Sequence, residues 1–207
     1  MNRPLRIAAA VLCLASPALA GGPTLVDEPV VLPPPPEAMP RPDWTGPYAG
    51  LGLGRTTGSQ DDQTPSASYG VDGGSLRSVF LGYRLQQGNI VYGGEMELAN
   101  LSGSAIQGTP REFSKAFDVK STLGIAQGRF LTYGVLGWSQ VEVARPSDTT
   151  NFGGISYGAG VEYSVNDRFG IGLEYLARDV DGISVNGSPQ TSEIGLDSLS
   201  LRFGLSF

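Results

Sequence analysis

The feature that most constrains this chain is a period-two alternation of apolar and small or polar residues that runs from about Asp43 to its last residue. At the end, Leu199, Leu201, Phe203, Leu205 and Phe207 alternate with Ser198, Ser200, Arg202, Gly204 and Ser206, so an extended strand there has one wholly apolar face. The same alternation sets Ile155, Tyr157, Ala159, Val161 and Tyr163 against Ser156, Gly158, Gly160, Glu162 and Ser164. It recurs for Ile171, Leu173, Tyr175 and Ala177, for Val79, Leu81, Tyr83 and Leu85, and for Phe117, Val119, Leu123 and Ile125. Two stretches are less tidy, Tyr92 to Leu98 and Leu131 to Val143; in the second, Leu136 and Trp138 have no assigned face. With Ala49, Leu51 and Leu53 opposing Gly50, Gly52 and Gly54 in a first strand, eight strands are predicted.

The connections carry independent information. Those around Gln86–Asn89, Ala126–Arg129 and Asn166–Arg168 are short and contain Gly, Asn or Asp, as tight hairpins require. Those at about 57–74, 101–112, 144–153 and 179–193 read as long, polar loops. A strict alternation of short and long connections is the arrangement of a transmembrane barrel with tight periplasmic turns and larger external loops. Beyond the N-terminal region no run of about 18 apolar residues occurs, so any spanning falls to strands. Glycine at 30 of 207 residues and a charged fraction of only 16% suit closely packed strands. Trp44, Tyr48, Tyr83, Tyr92, Phe130, Tyr133, Tyr163, Phe169 and Phe207 all fall near the short-turn rim, where an interfacial aromatic girdle is expected.

The N-terminus has a different composition. Arg3 and Arg6, the apolar run Ile7 to Ala15 and the Ala18-Leu19-Ala20 site read as a secretory signal peptide over 1–20. Cys13, the only cysteine, lies within it, so the exported chain is expected to carry no thiol. Residues 21–42 form a Pro-rich acidic linker with four consecutive prolines, Pro33 to Pro36, expected to be disordered or extended. Residues 43–207 are then the barrel, and the expected fold is all-β: an eight-stranded antiparallel transmembrane β-barrel behind a disordered Pro-rich segment. Of the 14 basic residues, removing Arg3 and Arg6 leaves twelve against 20 acidic ones, a net charge of −8. Without a basic cluster such a chain has no electrostatic footprint for nucleic acid.

If the apolar face meets lipid, the opposite face fills the lumen. That face carries Arg84, Glu95, Glu97, Asp118, Lys120, Glu162, Glu174, Arg178 and Arg202 among glycines and serines. Ion pairing is expected, because an unpaired interior charge costs several kcal/mol. An eight-stranded barrel is only wide enough to hold its own side chains, so a plugged scaffold is expected rather than a wide pore. The competing reading of the same charges is a narrow ion path.

Catalytic patterns fail on chemistry. Gly154-Ile155-Ser156-Tyr157-Gly158 matches G-x-S-x-G, but that motif needs a sharp strand-to-helix turn and a base. These residues lie in an alternating strand, and the chain has no histidine, so a Ser-His-Asp triad is impossible. Gly50, Gly52 and Gly54 lack the spacing of a dinucleotide fingerprint. Asp61 with Asp62 is too little for a cation site, and no cofactor or metal is expected.

Asp43-Trp44-Thr45-Gly46-Pro47-Tyr48-Ala49-Gly50 resembles the first-strand motif of alphaproteobacterial outer-membrane surface antigens and porin-family proteins, which share an OmpA-like eight-stranded barrel. Gly158-Ala159-Gly160-Val161-Glu162-Tyr163 and Leu173-Glu174-Tyr175-Leu176 are similar to later strands of that group. The closing strand Leu199–Phe207 is similar to the group's own, whose terminal aromatic is read by the barrel-assembly machinery. The likeness spans roughly residues 43 to 207 and departs at Pro47, where the group has an aromatic, and in the loops. It implies a non-enzymatic, surface-exposed outer-membrane protein that contributes to envelope integrity or contacts an extracellular ligand through its loops, with a narrow-pore channel as the alternative. The partners it implies are outer-membrane lipid and the assembly machinery, the latter through Phe207, for a barrel expected to be monomeric.

Overall fold

The computed structural model describes residues 42–63, 66–105, 112–144, 149–181 and 192–207. The signal segment, and the Pro-rich segment apart from Pro42, lie outside the described residues. Eight strands follow in chain order: β1 (Gly46–Gln63), β2 (Ser66–Gln87), β3 (Ile90–Ala105), β4 (Glu112–Gln127), β5 (Phe130–Ala144), β6 (Thr149–Ser164), β7 (Phe169–Asp181) and β8 (Ser192–Ser206). Each pairs antiparallel with its sequence neighbours, and β1 pairs with β8, so the sheet closes into the barrel that the alternation predicts. Closure leaves no sheet edge, which is what a β-structure needs where no water can satisfy backbone groups.

The register gives each alternating set its face. Leu199, Leu201 and Phe203 point outward, as do Ile155, Tyr157, Val79, Leu81 and Leu123, the last 64% exposed. Leu136 and Trp138 also face out, so β5 carries Leu131, Tyr133 and Val135 inward. The apolar band ends toward the long hairpins at a row of outward polar residues that includes Arg55, Arg77, Asn100, Lys115, Asp179 and Asp197. Trp138, Tyr157 and Tyr175 lie just below that row and form a second aromatic girdle.

The short turns sit where they are expected. Gly88 and Gly128 take φ of 64° and 61°, a left-handed conformation that a glycine adopts without strain. The predicted long loops are corrected. Much of 57–74 is strand, with Gly58 opposite Val71 and Gln63 opposite Ser66, so β1 and β2 continue as a paired ribbon past the apolar band. The segments 101–112, 144–153 and 179–193 likewise give several residues to flanking strands. Outside lipid a strand no longer needs an apolar face, so its pairing persists while the alternation that identifies it fades.

The girdle assignment is also corrected. Tyr83, Tyr92, Phe130, Phe169 and Phe207 are exposed on the outer wall, and Phe130 packs against Tyr163 with ring centroids 4.9 Å apart. Trp44, Tyr48 and Tyr133 are instead buried inside the barrel. Tyr48 and Tyr133 follow the inward register of their strands, where their hydroxyls find buried acceptors, and Trp44 lies just before β1.

The outward register has a direct consequence for Leu201, near the middle of β8. Leu201→Arg should destabilise the barrel by about 2–4 kcal/mol, as read by urea unfolding in lipid vesicles. An unchanged midpoint would mean that this face does not meet lipid.

Candidate functional site

The lumen is layered along the barrel axis, and its central layer holds the charges. On β3, Glu95 and Glu97 are two residues apart and therefore share the inward face; Glu95 stands opposite Lys120 on β4. Glu174 of β7 and Arg202 of β8 approach from across the lumen. Lys120 Nζ lies 2.7 Å from Glu95 Oε1, 2.5 Å from Glu97 Oε2 and 2.8 Å from Glu174 Oε1. Arg202 Nη2 is 2.5 Å from Glu95 Oε2, while its Nη1 is 2.8 Å from Glu174 Oε1 and 3.4 Å from Glu97 Oε2. Tyr48 donates to Glu95 Oε2 at 2.9 Å and Tyr133 to Glu174 Oε2 at 3.0 Å. The Arg202 guanidinium also lies 3.7 Å from the centre of the inward-facing Phe80 ring.

Two further pairs flank this layer. Toward the long hairpins, Arg178 grips Asp118 with two bonds, Nε to Oδ1 at 2.9 Å and Nη2 to Oδ2 at 2.7 Å. Ser139 donates to the same carboxylate, and Arg178 Nη1 donates to Ser198 Oγ at 2.6 Å. Toward the short turns, Arg84 meets Glu162 at 2.8 Å, and its guanidinium stacks 3.9 Å from the Tyr48 ring centre with Trp44 beside it. The structure thus brings all nine charges singled out in the sequence into one lumen. They comprise four cations and five carboxylates, each with an opposite charge in contact.

Sequence reasoning does not anticipate what closes the lumen beyond these ions. At the long-hairpin end an inward apolar cluster includes Leu76, Leu101, Phe113, Val141, Phe152 and Leu196. A second one starts near the short turns with Trp44, Val91 and Leu131 and reaches through Tyr133 to Leu176 beside the ion layer. The signal was present as apolar residues on both faces of β4, β5 and β7, as at Leu176 between Tyr175 and Ala177, which a strand with one lipid face and one wet face would not carry. Glycines make room for the large interior side chains. A Cβ at Gly82 would run into the Tyr48 ring, and one at Gly160 into the Tyr133 ring.

The arrangement can do little chemistry. Ser156 of the G-x-S-x-G stretch is fully buried on the inward face of β6, and its hydroxyl has no hydrogen-bond partner among the described residues. The carboxylates of Glu95, Glu97 and Glu174 converge closely enough to hold a cation, but the Lys120 ammonium occupies the point where they meet.

Residues 7–207 match the family model described as "Outer membrane protein beta-barrel domain". The chain is 32% identical over 169 residues to the "22 kDa outer membrane protein" of Rhizobium leguminosarum bv. viciae, covering 78% of this chain and 76% of that one. Among solved structures it is similar to Neisserial surface protein A, with a TM-score of 0.51 and 14% identity over 79% of this chain and 98% of the other, a likeness of fold.

The central layer predicts a large penalty for losing one partner. Lys120→Met leaves three buried carboxylates to one guanidinium, and should cost about 3–5 kcal/mol in urea unfolding. A loss below about 1 kcal/mol would mean that the carboxylates are solvated or protonated.

Proposed function

The chain belongs to the outer-membrane protein β-barrel domain family, and from that premise we propose that it is a structural, surface-exposed barrel that supports the envelope and meets the exterior through its long hairpins. It resides in the outer membrane. The observation that carries the reading is the lumen: an ion layer sealed between two apolar layers leaves a wall-to-wall filling of side chains. Such a filling stabilises a closed scaffold and opposes the narrow-pore alternative. With no histidine in the chain and Ser156 sealed inside, the reading is non-enzymatic.

The orientation follows from the hairpins. The short turns face the periplasm, and the β1–β2 ribbon at Gly58–Gln63 and Ser66–Val71 projects outside, where an extracellular ligand would meet it. Export uses the segment 1–20 with cleavage before Gly21, leaving the Pro-rich segment 21–42 as a periplasmic spacer. Phe207, 74% exposed on the outer wall at the periplasmic rim, is the residue offered to the assembly machinery during insertion. The barrel acts as a monomer.

Planar-bilayer recording tests the closed-scaffold reading. Protein purified from the outer-membrane fraction, with Gly21 as its first residue, should leave a flat baseline at neutral pH. Stable unitary steps would overturn the reading in favour of a channel.

A further inference from the structure

The outer wall of the barrel is not uniform at its outward-facing edge. A groove of about 430 Å³ runs across β1 to β4. Its lower wall is a register row of apolar side chains, Leu51 opposite Val79 and Val79 opposite Leu98. The next row up is Arg77 opposite Asn100 and Asn100 opposite Lys115, all exposed. With strands about 4.8 Å apart, the Arg77 and Lys115 backbones are about 10 Å apart. Arg55, the next outward position above Leu53, stands over the same groove.

Among the side chains that the structure describes at this edge, Arg55, Arg77 and Lys115 lie on the wall from β1 to β4, while Glu142, directly opposite Lys115 at the seam, Asp179 and Asp197 lie on the wall from β5 to β8. Two of the acids on that wall have hydrogen-bond donors: Ser114 donates to Glu142 at 2.6 Å and Tyr175 to Asp197 at 2.6 Å. Among the side chains that the structure describes, no carboxylate lies within 4.0 Å of Arg55, Arg77 or Lys115, even though the chain carries a net charge of −6. Basic side chains that only snorkel to an interface would be expected around the whole circumference. Here they gather above one apolar groove, at the level where lipid headgroups meet acyl chains. That juxtaposition complements an amphiphile with an anionic head and a hydrocarbon tail.

We propose that this groove is a specific seat for an acylated, anionic glycolipid of the outer leaflet. Its charged headgroup rests on Arg77 and Lys115, with Arg55 above, and one acyl chain lies along Leu51, Val79 and Leu98. The proposal goes beyond the structural role and rests only on the outward orientation of the long hairpins. A lipid held there would be ordered against the barrel rather than exchanging freely, and would couple the protein to the layer it spans.

Native mass spectrometry of the full-length exported protein in neutral detergent tests it, with bis-phosphorylated lipid A, phosphatidylcholine and inorganic phosphate as separate probes. Wild type should retain one lipid A per barrel, and Arg77→Ala combined with Lys115→Ala should weaken that binding about tenfold. Val79→Trp, which fills the groove and leaves every charge in place, should weaken it as well. All these positions are exposed, and heat-modifiable migration reports that each variant is folded. Undiminished lipid A binding in the folded double variant would overturn the proposal, as would equal retention of phosphatidylcholine. Displacement of lipid A by an equimolar amount of inorganic phosphate would also overturn it, by showing an anion site that needs no lipid. The conductance baseline reports the closed scaffold independently, so failure here leaves that reading standing.

Discussion

Glu95, Glu97 and Glu174 converge on one ammonium and one guanidinium in the centre of a barrel whose outside is hydrocarbon. None of these five groups could be buried alone, since an isolated ion removed from water carries a penalty of several kcal/mol that only close, well-directed partners offset. The partners come from strands far apart in sequence: β3, β4, β7 and β8 for the central ions, β1 and β5 for the tyrosines that cap them. Arg84 and Glu162 add β2 and β6. Every strand therefore contributes to a network that can be satisfied only when the barrel is closed in this register. A slip of one residue would turn the whole set of charges toward lipid.

The layering follows from where water is absent. Across the hydrocarbon band the outer face is apolar, so the lumen face is where polar residues are tolerated, and pairing makes them stable. Above the band the outer face meets water, and the interior becomes an ordinary hydrophobic core built around Phe113, Val141 and Phe152. The protein thus changes its packing logic partway along the same strands. Aromatic side chains bridge the regimes at the other end, with Tyr48 and Trp44 covering Arg84 by their faces while the Tyr48 hydroxyl reaches Glu95.

Much of this was legible in the sequence, for a physical reason. A period of two is unambiguous when one face must be apolar without exception, so the outward sets and the nine lumen charges could be read residue by residue. Leu136 and Trp138 resisted because β5 carries Val135 between Gly134 and Leu136, and apolar residues on both faces erase the alternation. Tyr48 and Tyr133 were misplaced for a related reason. An aromatic near a rim suits the interface and the lumen equally, and only the partner across the barrel, Glu95 or Glu174, decides between them. The ribbon of β1 and β2 beyond Thr56 was hidden because polar strands in water look like loops. The basic groove was invisible because Arg77 and Lys115 are 38 positions apart and meet only through β3.

A closed barrel filled in this way exposes two surfaces, the lipid-facing wall and the outer hairpins, and its role in the envelope lies on them. Both depend on the lumen ions being mutually necessary rather than individually tolerated. The Asp118 and Arg178 pair, buried and bidentate, isolates that dependence. The most direct measurement is a double-mutant cycle of Asp118→Leu and Arg178→Met by urea unfolding in lipid vesicles. Each single change strands a buried charge and should cost about 3–5 kcal/mol, and the double change should recover at least about 2 kcal/mol of the summed loss. Losses that add to within about 0.5 kcal/mol would contradict it, because the two charges would then be acting independently.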